Sequence, residues 1–301
     1  MANCVRCGKA LPAFSLATAG NRCAECRQIE QGIPGDPANN LDAQIPPAHT
    51  RRLIGFRPAV TMALIGINVA VLVLMVARGV SPSDPTRLQM VQWGANFGPL
   101  TLGPQPWRIL SATFLHIGIV HLLVNMWSLW VLGLPTERLL GRWTFLVVYL
   151  ISGLSGSIAS LWRDPVRVSA GASGAIFGLL GALIAVMYLG KLPLPKEVIS
   201  RNLRNLLFVA GLNLLYGMSS HIDNSAHIGG LVAGLAFGGM LAPTLMQNQE
   251  DRTRLRLYAT LAMVLVLAAC LMYVRHLHHQ IVDQFFSSGR AGLFHFLRNW
   301  G

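Results

Sequence analysis

Seven apolar stretches without a charged residue follow one another along this 301-residue chain, at 60–77, 109–134, 143–162, 172–190, 205–220, 226–242 and 257–274. No other feature restricts the fold as severely. Crossing a bilayer takes about 20 predominantly apolar residues. In hydrocarbon each backbone N–H and C=O must find its partner within the segment, which leaves the helix as the solution for runs of this length. With 53% hydrophobic and 12% charged residues and a mean hydropathy of +0.50, the chain is too apolar for a soluble domain. The expectation is an all-α membrane protein that crosses the bilayer several times.

Basic residues set the expected orientation. If the first helix runs from inside to outside, the inner segments hold Arg51, Arg52, Arg57, Arg138, Arg142, Lys191, Lys196, Arg201, Arg204, Arg252, Arg254 and Arg256. The outer loops then hold only Arg78, Arg87, Arg108, Arg163 and Arg167, before a short basic tail. This asymmetry predicts a cytoplasmic N-terminus and an outer C-terminus, as in a bacterial inner-membrane protein. It also accounts for the net charge of +12 without nucleic acid as a partner, since no basic and aromatic interleaving accompanies it. No signal peptide is visible, because a polar segment precedes the first span at Val60.

That segment carries four of the five cysteines, as CVRC (Cys4, Cys7) and CAEC (Cys23, Cys26), with 15 residues between the pairs. Each CxxC turn presents two sulfurs to one ion, and the spacing suits a structural Zn2+ site of ribbon or knuckle type at residues 1–30. Two disulfides are the alternative, but a cytoplasmic position is reducing. Cys270, inside the last apolar stretch, reads as a small core residue. Residues 31–55, rich in Pro, Asn, Gln and Asp, read as a flexible linker. The segment from Gly79 to about Trp107 is long and partly apolar for a connection, and is expected to lie in the interface with its tryptophans at headgroup level.

The polar residues inside the spans carry the chemistry. With the orientation above, Ser173 in GASGAIFG, His227 in NSAHIGGLVAGLAFGG, and His121 and Asn125 in FLHIGIVHLLVNMW all fall toward the outer ends of their helices. His227 heads a helical row with Gly230, Gly234 and Gly238, a doubled GxxxG that lets another backbone approach closely. Gly174, Gly178 and Gly181 near the Ser173 stripe can receive it, which would bring imidazole to hydroxyl. A serine becomes a nucleophile when a neutral histidine takes its proton, and the resulting oxyanion needs donors in a water-poor site. His121, Asn125 and the Ser173 N–H are the candidate donors. The constellation reads as acyl transfer within the membrane.

Each residue also has a plainer reading. Ser173 alone suits a small-residue packing interface, and His227, His121 and Asn125 can act as interhelical hydrogen-bonding residues. His116 can pair with His121 around a metal, although five-residue helical spacing separates their faces and no intramembrane carboxylate completes a site. Asp223, four residues before His227, reads as a solvated loop acid or as the third member of a triad.

Over about residues 56–275 the chain resembles the rhomboid intramembrane serine proteases. WGANFGPLT, PWRILSATFLHIGIVHLLVNMWSLWVLGLPTERLLG, GASGAIFG and AHIGGLVAGLAFG follow one another in that family's order and spacing. The resemblance implies a six-helix catalytic core at 56–250, with a seventh transmembrane helix at 251–275 and a tail at 276–301. It implies Ser173 as nucleophile and His227 as general base in a two-residue dyad, with no catalytic cofactor. His121, Asn125 and the Ser173 N–H would line the oxyanion hole. Trp107 and Arg108 would form the family's WR motif, and Gly133, Glu137 and Gly141 its structural GxxxExxxG pattern. Phe177 stands where many members have Tyr, keeping a ring for His227 to stack on but losing its hydroxyl. The implied substrates are single-span membrane proteins cleaved near the outer face of the bilayer, entering between the second and fifth helices under the loop at His221–Asn224. The N-terminal module would serve a cytoplasmic protein partner. Two other classes compete: a catalytically dead rhomboid that binds membrane proteins, which loss of a dyad residue would mark, and a channel or transporter, which would carry charges deep in the bundle.

Overall fold

The computed structural model describes residues 4–8, 26, 57–192, 194–216 and 223–287. The chain divides into two units, Met1–Arg57 and Pro58–Gly301. In the first, the Gly8 N–H closes a turn on the Cys4 carbonyl at 2.9 Å. Cys23, the linker at 31–55 and His221 lie outside the described residues.

The second unit is built from helices: α1 (Ala59–Ala77), α2 (Arg87–Trp93), α3 (Gly98–Thr101), α4 (Arg108–Ser111), α5 (Ile119–Leu140), α6 (Arg142–Arg163), α7 (Ser173–Leu189), α8 (Lys196–Tyr216), α9 (Asn224–Leu241), α10 (Gln249–Leu277) and α11 (His279–Ser287). Among the described residues no strand forms, and Asn96 and Ser169 make one isolated antiparallel bridge. Among the described residues five helices are long and apolar enough to cross a membrane: α1, α5, α6, α10, and α9 continued by a 3-10 turn to Met246. The protein is an all-α, multi-pass membrane protein. The fourth apolar stretch forms the shorter α7, of 17 residues, and the fifth forms most of α8.

The second apolar stretch is not one helix from residue 109. The chain makes α4 and a 3-10 turn, Ala112–Phe114, runs extended at Leu115, and turns at Gly118, whose φ of 83° is open to glycine and strained for other residues. Helix α5 starts only at Ile119 and continues through Pro135 to Leu140. Hydropathy is blind to this break because no charge marks it.

Helix α7 is apolar on every side and is enclosed by α5, α6, α8 and α9, with almost every residue from Gly174 to Met187 buried. Its closest neighbour is α9. A Cβ at Gly230, Gly234 or Gly238 would collide with the backbone of Gly174, Gly178 and Ala182 respectively, so the doubled GxxxG row is the seam along which the two helices touch. That seam sets the positions of Ser173 and His227, at the first residue and first turn of the paired helices.

The GxxxExxxG pattern has a mechanical explanation. At Gly133 a Cβ would lie 2.9 Å from Thr61, so glycine admits α1 against α5. One turn on, the fully buried Glu137 carboxylate accepts from the Thr61 N–H (2.8 Å), the Thr61 hydroxyl (2.7 Å) and the Val60 N–H (3.1 Å). It thereby satisfies N–H groups at the start of α1 that no helical carbonyl can reach. Gly141, at φ 84°, turns the chain from α5 into α6.

The segment before α5 also packs. Thr86 and Gln89 form a capping box on α2, and Gly94 ends it in the left-handed conformation. Phe97 is fully buried, whereas Trp107 is exposed. The buried Arg108 donates to the carbonyls of Val91 (2.6 Å) and Ala95 (3.1 Å), and its guanidinium lies 5.0 Å from the Trp107 ring centre. The WR pair thus holds the end of α2 to α4.

Candidate active site

A cavity of about 480 Å³ opens where the N-terminal ends of α5, α7 and α9 meet. Ser173, His227, His121 and Asn125 all line it, together with Gly171, Phe177 and Asp223. Most of its remaining wall is small or apolar, including Ala112, Val120, Gly153, Gly156 and Ile176, and Arg167 also lines it.

Ser173 is the first residue of α7 and is half-buried. The N–H groups of a helix's first turn have no intrahelical acceptor, and the helix dipole adds positive potential there. A negative charge that develops beside Ser173 is therefore favoured.

His227 is buried, and its ring stacks on Phe177, with centroids 4.4 Å apart and planes 13° from parallel. Phe177 lies one turn after Ser173 on the same helix, so the ring that orients the histidine is fixed relative to the hydroxyl. The buried His227 Nδ1 has no hydrogen-bond partner. Both side-chain oxygens of Asp223 accept hydrogen bonds from groups other than the His227 ring. One of its oxygens accepts from the Ala226 N–H (3.2 Å), capping α9, and the other accepts from the Ser160 hydroxyl (2.5 Å). Asp is a preferred residue for that capping position.

On α5, the His121 Nδ1 accepts from the Ile117 N–H at 3.4 Å. A neutral imidazole that accepts at Nδ1 carries its proton on Nε2. That nitrogen faces the space left by the missing side chain of Gly171: the point a Cβ would occupy there lies 3.0 Å from His121 Nε2 and 3.7 Å from Ser173 Oγ. A side chain at 171 would collide with the His121 ring, whose Cε1 lies 2.7 Å from that point, so glycine is what lets His121 stand beside Ser173. Asn125, one turn further along, spends one Nδ2 hydrogen on the His121 carbonyl (3.0 Å) and lines the same cavity.

His116 lies in the turn before α5 and is fully buried, with its ring edge-on to His121 at 5.3 Å. The helical spacing argument that separates the two does not apply, because the chain turns between them at Gly118. Burial, with the His121 ring beside it, pushes the His116 pKa down from 6.5 to about 3. In the N-terminal unit the Sγ atoms of Cys4, Cys7 and Cys26 lie within 4.8 Å of one another, with Cys4 and Cys26 buried.

Sequence reading did not single out Gly171, whose signal was the glycine two residues before the serine in GASG, nor the bridge between Asn96 and Ser169. Nothing in the local sequence marks that bridge.

A buried helix that starts on a serine, a glycine seam to a histidine-bearing helix, and a cavity at their common end lined by both residues make up the candidate site. The comparisons name the family. The Rhomboid domain profile matches residues 103–244. The chain is 34% identical over 199 residues to Rhomboid protease AarA of Providencia stuartii, covering 58% of this chain and 70% of that one. It is 39% identical over 179 residues to Rhomboid protease GluP of Bacillus subtilis (strain 168), covering 59% of this chain and 34% of that one. It is 43% identical over 137 residues to RHOMBOID-like protein 2 of Arabidopsis thaliana, covering 46% and 43%. The chain belongs to the rhomboid family. The matched region spans about a third of GluP and under half of RHOMBOID-like protein 2.

Proposed function

We propose that this protein is an intramembrane serine endopeptidase that cleaves the transmembrane segments of single-span membrane proteins near the outer face of the bilayer. The observation that carries the reading is the single cavity that Ser173, His227, His121 and Asn125 line together, with the His227 ring stacked on Phe177 one turn after Ser173. A peptide carbonyl in that cavity has its nucleophile and base on one side and donors for its oxygen on another.

Ser173 Oγ attacks the carbonyl carbon while His227 takes the hydroxyl proton. The C=O pair moves onto oxygen, where His121 Nε2–H, Asn125 and the Ser173 N–H stabilise it. As the tetrahedral intermediate collapses, the C–N bond breaks and His227 returns the proton to the leaving nitrogen. This leaves an ester on Ser173. Water attacks that ester with His227 again as base, and the acid product leaves with Ser173 restored. The Phe177 stack holds the imidazole in place of a carboxylate third member, since Asp223 is committed to capping α9. The test is cleavage of a reporter substrate by wild type against Ser173→Ala and His227→Ala, both of which lose it while remaining folded.

A second reading concerns the N-terminal unit: Cys4, Cys7, Cys23 and Cys26 hold one structural Zn2+ that serves a cytoplasmic protein partner. The convergence of three thiols within 4.8 Å supports it, and zinc takes thiolates at about 2.3 Å in a tetrahedral set. A closed four-thiolate shell leaves no position for a metal-bound water, so the metal has no catalytic part. Purified protein carries one zinc per chain, Cys4→Ser loses it, and deletion of residues 1–50 leaves cleavage in detergent. A metal-free chain under reducing purification removes this reading.

A further inference from the structure

Helix α11, beyond the last membrane-length helix, is amphipathic: Ile281, Val282, Phe285 and Phe286 recur on one side, with Gln280, Asp283 and Gln284 between them. Its apolar side lies on the segment that precedes α4. Phe285, 8% exposed, meets the fully buried Phe97 edge-on, with ring centres 5.8 Å apart. Val282 and Phe286 close over Gly103, where a Cβ would lie 3.3 Å from each. Phe97, Phe285 and Val91 form one buried cluster, with Val168 packed against it.

Val168 also lines the cavity. The next residue, Ser169, exchanges both backbone hydrogen bonds with Asn96 at 2.9 Å, and Asn96 is the neighbour of Phe97. Asn96 is pinned in turn by its side-chain bond to the Ser157 carbonyl (2.9 Å). The wall of the cavity at 168–171, which leads directly into Ser173, is therefore held from behind by Phe97, and Phe97 is held by α11.

We propose that Phe285 is a positioning residue: through Phe97 and the Asn96–Ser169 bridge, α11 fixes the cavity wall at 168–171 against which a substrate segment is bound. This rests on the protease reading above. The Ser173–His227–Phe177 group sits on α7 and α9, which α11 does not support, so loosening the wall weakens substrate binding and spares the reacting groups.

The test uses full-length enzyme in phosphatidylcholine vesicles with a fluorogenic reporter that carries one transmembrane segment. In Phe285→Ala, KM rises about tenfold with kcat little changed, the pattern of lost ground-state binding. Labelling of Ser173 by a small fluorophosphonate keeps its wild-type rate. Phe285→Leu, which retains most of the buried volume, falls between the two in KM and decides the matter if the alanine variant does not fold. Gln284→Ala, on the exposed side of α11, behaves as wild type. An unchanged KM in Phe285→Leu and Phe285→Ala overturns the proposal. So does a fall in kcat and in the labelled fraction at constant KM, which marks α11 as a general structural prop. If instead the wild type fails to label, or Ser173→Ala cleaves, it is the protease reading that fails.

Discussion

Phe177 and His227 lie ring on ring, 4.4 Å between centroids and 13° from parallel, although 50 residues separate them in sequence. The glycine seam between α7 and α9 brings them there, and in the proposed mechanism the stack takes the place of the carboxylate that orients histidine in a triad. Phe177→Leu is expected to lower kcat by about tenfold or more through loss of orientation, while Phe177→Tyr retains activity. Steady-state kinetics on both variants check this. Equal kcat in wild type and Phe177→Leu would show that the ring does not position the base.

The oxyanion donors give the second prediction. Removing one preorganised donor costs about 10² to 10³ in kcat, so His121→Ala and Asn125→Ala fall in that range with KM little affected. His121 is the more sensitive of the two, because its ring packs against Gly171, two residues before Ser173, whereas Asn125 spends one Nδ2 hydrogen on the His121 carbonyl. Unchanged turnover in both variants would return these residues to the role of interhelical hydrogen bonding.

Asp223 separates a dyad from a triad. Asn caps helices about as well as Asp, so Asp223→Asn keeps the start of α9 and with it near-wild-type kcat. Asp223→Ala loses the cap, which costs about 1 kcal/mol of stability and appears as a lower Tm. A loss of several orders of magnitude in kcat for Asp223→Asn would mean that the carboxylate serves His227 directly.

Much of this site was legible before any coordinates. The serine, the two histidines, the asparagine and the glycine row stand at spacings that a helix turns into faces, so the pairing of α7 with α9 follows from the GxxxG periodicity alone. Three things were not legible, each for a physical reason. The break at Gly118 leaves no trace in hydropathy, so the apolar stretch runs unbroken from residue 109 although α5 starts only at Ile119. The cap that Asp223 places on α9 is local, but its second oxygen accepts from Ser160, 63 residues away, which no local pattern records. The wall at 168–171 depends on a bridge to Asn96 and on Phe285, contacts between segments that are far apart in sequence and share no periodicity.

Acid should destabilise the fold through His116. Its pKa is about 3 in the folded protein against 6.5 ordinarily, so between these values the unfolded chain takes up a proton that the folded one refuses. Stability is therefore full above 6.5 and declines as the pH falls toward 3. Thermal unfolding in detergent across this window should show a smaller decline for His116→Asn than for wild type. Parallel curves for the two proteins would place the acid sensitivity elsewhere.

The central claim is that Ser173 is the nucleophile, and a fluorophosphonate probe tests it most directly. Full-length wild-type protein in vesicles is treated with the probe, digested, and the modified residue located by mass spectrometry, with reporter cleavage followed in parallel. The account predicts a single adduct on Ser173, loss of cleavage in step with labelling, and neither labelling nor cleavage in Ser173→Ala. An adduct on another residue, or cleavage that persists in Ser173→Ala, would contradict it.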